Sequence, residues 1–162
     1  MSMAEFSEWL YAIPISRDLR NGGWIVPTVQ SIHIVAIAAL MGSSIVLDLK
    51  LAGFMAKTES SRAVFQRYMP WLWGALAVLL LTGLLMVTAE PDRVLTNWVF
   101  WTKMALVVVA FFGTLVIRIP MQRDEADAKT SAWGVALKPL GLLSLLIWVS
   151  IILCGRWIAY VQ

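Results

Sequence analysis

Residues 21–47 read NGGWIVPTVQSIHIVAIAALMGSSIVL, 27 positions free of Asp, Glu, Lys and Arg between Arg20 and Asp48. A bilayer's apolar core is about 30 Å thick and takes about 20 helical residues to cross, so this stretch predicts a membrane-spanning helix. Near its middle stands His33, the single histidine of the chain. An ionisable group at membrane depth is costly and marks function by default, and neutral imidazole is a common metal ligand.

Outward from that helix, the composition gives the class. With 60% hydrophobic residues, 14% charged residues and a mean hydropathy of +0.77, the chain does not suit a water-soluble domain. Four spans are expected, at about 24–47, 68–89, 97–117 and 134–157, within one transmembrane domain covering 1–162. All four should be helices, because their continuous apolar runs lack the alternation of a barrel strand and an open sheet would leave backbone groups unsatisfied in lipid. The expected fold is therefore all-α, an integral membrane four-helix bundle. Residues 1–20 contain Glu5, Glu8, Arg17, Asp18 and Arg20 without a long apolar core, so no cleaved signal peptide is expected. Phe6, Trp9, Leu10 and Ile13 recur at helical spacing, which predicts a short amphipathic helix, either lying along the membrane surface or packed as a cap.

Basic residues set the expected orientation. Lys50, Lys57, Arg62 and Arg67 flank the first connection and Arg118, Arg123, Lys129 and Lys138 the third, eight against the five of Arg17, Arg20, Arg93, Lys103 and Arg156. This asymmetry predicts that those two connections lie in the cytoplasm and both termini outside. The net charge of +3 reflects these loops; no clustered basic face points to nucleic acid. Cys154 is the only cysteine, so no intramolecular disulfide forms and no CxxC or CxxCH pattern exists. Phosphate-loop, HExxH and G-x-S-x-G motifs are also absent, which removes the common soluble-enzyme chemistries.

Projection at 100° per residue puts Gln30, His33, Ile37, Leu40, Ser44 and Asp48 on one side of the first span, the side expected to face the bundle. Ala38 and Gly42 form a small-xxx-small pair that suits close approach of another helix. Asp48, beside Lys50, reads as an anchor at the cytoplasmic face. A 1.5 Å rise per residue places His33 about 13 Å below Trp24, in the outer half of the membrane. Lys103 enters the third span at a similar level, and Arg156 lies near the outer end of the fourth.

One imidazole and two cations converging on one leaflet suit a planar, partly apolar molecule with carboxylates, and haem b is such a molecule. His33 would ligate its iron, Gln30 or a backbone carbonyl would orient the other ring nitrogen, and Lys103 and Arg156 would pair with the propionates. Trp148, inside the fourth span, would pack against the macrocycle or a quinone, or serve as a core residue. Against this stand two plainer readings: Lys103 and Arg156 snorkel to the interface, and His33 makes an interhelical hydrogen bond. One histidine excludes bis-histidine iron within a protomer, leaving five-coordinate iron, a methionine (Met41, Met86 or Met104) or a partner's residue.

The sequences Ser31-Ile32-His33-Ile34-Val35 in the first span and Lys103-Met104-Ala105-Leu106-Val107 opening the third resemble the four-helix HemJ-type protoporphyrinogen IX oxidases and the CopD-like membrane domains. Trp24-Ile25-Val26-Pro27, Asp48-Leu49-Lys50-Leu51-Ala52-Gly53 and Gly155-Arg156-Trp157-Ile158-Ala159-Tyr160 resemble a bacterial family of small four-helix membrane proteins more closely still. The HemJ-type resemblance implies a haem role for His33 and a functional role for Lys103.

The expected function is thus haem b-dependent electron transfer with a membrane quinone or partner redox subunit. A protoporphyrinogen IX oxidase is the enzymatic alternative. A non-catalytic anchor or accessory subunit, as a homo-oligomer or beside a partner membrane subunit, is the third reading.

Overall fold

A computed structural model describes residues 2–51, 54, 60–121, 132–158 and 160–161, and every regular element among them is helical. Lys57, Arg123 and Lys129 of the charge asymmetry, and Ala52, Gly53 and Ala159 of the quoted motifs, lie outside the described residues.

Helix α1 (Met3–Ala12) opens with a capping box, in which the Ser2 backbone N–H donates to Glu5 Oε2 at 2.7 Å and the Glu5 N–H donates to Ser2 Oγ at 3.2 Å. Pro14 starts α2 (Pro14–Asn21), where its missing N–H costs nothing. The long helices are α3 (Ile25–Leu51), α4 (Ser61–Ala89), α6 (Trp98–Met121) and α7 (Ala132–Trp157), with the short α5 (Pro91–Leu95) between α4 and α6. Each long helix contains a segment able to cross a membrane: Ile25–Lys50, Arg62–Ala89, Trp98–Val116 and Pro139–Trp157. The second begins before the expected 68 because Ser60 caps α4, accepting from the Ala63 N–H at 3.2 Å.

In the bundle, α3 packs chiefly on α4 and α6 on α7, and a contact between α3 and α7 joins the two pairs. Although consecutive along the chain, spans α4 and α6 touch little. The central core takes residues from all four spans: Leu40 from α3, Ala75 from α4, Ala110 from α6, and Trp148 and Ile151 from α7. A second core, of Leu47, Val64, Phe65, Met69 and Leu72, fills the α3–α4 seam at the end away from the termini. The outward faces are apolar, with Ile34, Val35, Leu81, Val109, Phe112 and Leu146 exposed, as contact with lipid acyl chains requires. Trp24, Trp98, Trp101 and Trp157 ring the end that carries both termini, and Trp71 is exposed at the other.

A polar cap closes the terminal end. Ser7 and Ser16 are fully buried; the Ser7 hydroxyl donates to Asp92, and Arg20 donates to Ser16 Oγ, to the Tyr11 carbonyl at 3.0 Å and to the Ala89 carbonyl at 3.4 Å. The Arg20 guanidinium also lies 3.6 Å from the centre of the Tyr11 ring. The amphipathic N-terminus is thus two short helices tied to the corner between α4 and α5, with Phe6 and Trp9 left exposed. Asn97 secures the opposite side of the cap, accepting from the Val99 N–H at 2.9 Å and donating to the Ile158 and Val161 carbonyls.

Two expectations are corrected. Ala38 and Gly42 are exposed, because neighbouring helices pack on the side of α3 that carries Leu40, Ser43, Ser44 and Leu47. Asp48 is buried to 4% exposure instead of anchoring at the interface, since it lies on that same inward side one turn below Ser44.

Candidate functional site

His33 sits eight residues into α3 and Thr82 lies seven before the end of the antiparallel α4, so the two meet at one depth. The His33 Nδ1 is 2.7 Å from Thr82 Oγ1. Thr82 Oγ1 is itself 2.7 Å from the Val78 carbonyl and 3.3 Å from the Leu79 carbonyl, and carbonyls only accept. The threonine proton is therefore spent on the backbone, and the short contact to the ring needs a proton on Nδ1. In the neutral ring this tautomer leaves Nε2 with a bare lone pair. Metal-binding histidines are held in the same way, with the non-ligating N–H donated to a fixed acceptor.

The surroundings of the ring carry two further features. Gly83 follows Thr82 on α4, and a Cβ there would lie 3.9 Å from His33 Cε1, so the helix presents no side chain beside the imidazole at that point. Lys103 of α6 is near enough for its charge to act on His33. Its ammonium lies along Gly155 of α7, where an added Cβ would be 3.5 Å from Nζ. Among the described residues Lys103 is paired with no carboxylate. In the terminal half of the bundle α3 and α4 thus hold an imidazole on a threonine hydroxyl, while the Lys103 ammonium of α6 lies against Gly155 of α7.

The other candidates fall elsewhere. Gln30 is exposed one turn nearer the terminal end, and Thr82 holds the ring nitrogen that Gln30 was expected to orient. Arg156 is exposed, donating to Tyr160 Oη at 2.6 Å with its guanidinium 5.0 Å from that ring's centre. Trp148, 3% exposed, is part of the central core about two turns from Gly155, and its indole N–H is buried without a hydrogen-bond partner. Met41 is half-buried against that core, and Met86 and Met104 are half-buried nearer the terminal end.

Thr82 and Gly83 escaped the sequence reading because a threonine bonded to its own helix gives no signal of its own. Matching depths in antiparallel spans would have pointed to Thr82. No group of three or more His, Cys, Asp and Glu that could hold a metal ion forms among the described residues.

Fold and site together define a multi-pass membrane bundle that holds one oriented imidazole beside a lysine within the bilayer. The chain belongs to the family of unknown function DUF6644, whose model matches residues 6–161. No curated protein and no solved structure matches it.

Proposed function

We propose that the protein binds haem b in the terminal half of the bundle and passes electrons between a membrane quinone, or a partner redox subunit, and an acceptor at the terminal face. One observation carries the reading: Thr82 Oγ1 lies 2.7 Å from both His33 Nδ1 and the Val78 carbonyl, so Nδ1–H donates to the threonine and Nε2 keeps its lone pair at membrane depth. The donor set suits the group: His33 would hold the iron through Nε2, and Lys103 would offer a cation to a propionate. Bound haem would supply reversible one-electron chemistry. Arg156, engaged by Tyr160, would need to turn inward to join Lys103, and Trp148 would act from the core beneath.

Purified protein supplied with haem should show a Soret band that shifts on reduction, and His33→Ala should lose it. A wild-type protein without the band under those conditions rejects the proposal.

The resemblance to HemJ-type proteins supports an enzymatic reading on the same His33 and Lys103, namely oxidation of protoporphyrinogen IX. Deletion should then cause porphyrin accumulation, rescued by wild type and not by His33→Ala. The exposed Ala38 and Gly42 favour a helix from a second copy or a partner subunit. Native mass spectrometry in mild detergent would show a retained partner without cofactor if the chain were only an accessory subunit. The eight-to-five distribution of basic residues supports both termini outside, and the resemblance to a bacterial family of small membrane proteins supports a bacterial inner membrane.

A further inference from the structure

The opposite half of the bundle carries a second polar site that the haem reading does not use. Asp48, Ser44, Thr114 and Ser144 line a cavity of ≈ 10 Å³ closed by Leu47, Phe65, Met69 and Leu72. That is about the space of one water molecule.

Every hydroxyl proton in this lining is spoken for. Ser44 Oγ donates to Asp48 Oδ2 at 2.9 Å, Ser144 hydrogen-bonds the same carboxylate, and Thr114 Oγ1 donates to the Ala110 carbonyl at 2.9 Å. The cavity is therefore faced by a carboxylate and by hydroxyl lone pairs, a surface that repels anions and accepts a positive charge. Asp48 is 96% buried, being 4% exposed, and among the described residues it is paired with no lysine or arginine. Hydroxyl hydrogen bonds soften but do not cancel the cost of a buried negative charge, which a counter-ion or a proton must offset.

We propose that this cavity binds a small monovalent cation through the Asp48 carboxylate and the hydroxyl oxygens of Ser44, Thr114 and Ser144. Oxygen donors select hard ions, and one carboxylate balances one positive charge, whereas a divalent ion would leave an excess charge inside the bundle. The three hydroxyls come from three helices, α3, α6 and α7, so an ion at this point would clamp the end of the bundle away from the termini. It would also stabilise the folded state in proportion to its concentration.

The test uses the full chain in detergent, prepared free of sodium in choline chloride. Sodium chloride should raise the unfolding temperature saturably where choline chloride does not, and equilibrium dialysis with radioactive Na⁺ should approach one ion per chain. Asp48→Asn should abolish both responses, and Thr114→Val should weaken Na⁺ binding at least tenfold. If Asp48→Asn fails to fold, Ser44→Ala and Thr114→Val carry the comparison. Wild-type protein that treats sodium and choline alike, Na⁺ binding that survives in these variants, or stability that follows pH while ignoring sodium would each overturn the proposal; the last two would leave a site elsewhere or a proton at Asp48. A Soret band is unaffected by any of these results, so failure here is separable from failure of the haem reading.

Discussion

Two polar sites share helix α3, with His33 and Asp48 about 22 Å apart along its axis. The terminal one is made chiefly of nitrogen: an imidazole on a threonine, with an ammonium in the same half of the bundle. The other is made of oxygen: a carboxylate and three hydroxyls. Burial differs too, since His33 is half-buried at the rim of the bundle and Asp48 is sealed within it. A borderline nitrogen donor within reach of the lipid suits a large apolar cofactor that enters from the membrane. Enclosed oxygen donors around a water-sized space suit a bare ion. One helix thus carries two unlike sites, separated by the Leu40 and Trp148 core.

The largest expected effect separates them outright. His33→Ala should remove all bound haem, while Asp48→Asn should leave the Soret band in place in whatever protein folds. Loss of haem in both variants would mean that the sites are coupled. Leu40→Ala, cutting the core between them at a residue 2% exposed, should destabilise the protein by about 2–5 kcal/mol in chemical unfolding in detergent. That loss should weaken both sites, unlike a change in either one.

Within the terminal site the effects grade down. Thr82→Val keeps the shape and removes the acceptor of the Nδ1 proton, so haem affinity should fall about 10–100-fold and the reduction potential should move, with Thr82→Ser restoring both. An unchanged affinity and potential would show that the hydrogen bond only joins two helices. Arg156→Gln should cost less than about 1 kcal/mol in stability, because its partner Tyr160 is exposed. It should also reduce haem retention less than Lys103→Gln does. The reverse order would mean that Arg156 leaves Tyr160 to hold a propionate.

The four spans were legible because hydropathy and length act locally, and the bundle-facing side of α3 was legible from His33 to Asp48 because helical periodicity is local as well. The cap was less so. Burial of Ser7 and Ser16 comes from docking on α5 and α4, and a serine in an amphipathic stretch carries no mark of that contact. His33 and Lys103 stood out as ionisable groups at depth, whereas Thr82 did not. Asp48 was misread as an anchor because Lys50 lies two positions on; the Ser44–Asp48 spacing of one turn was the available sign that it faces inward. Ser144 and Thr114 join it only through the packing of α6 and α7.

Because the chain has one histidine, nitrogen NMR of protein labelled at histidine gives one pair of ring signals, and it tests the state of that ring most directly. The account predicts a protonated Nδ1 and an unprotonated Nε2 in the cofactor-free protein at neutral pH, with the Nε2 signal shifted or broadened by added haem. A ring protonated on Nε2 and bare on Nδ1, or one that ignores haem, would contradict it.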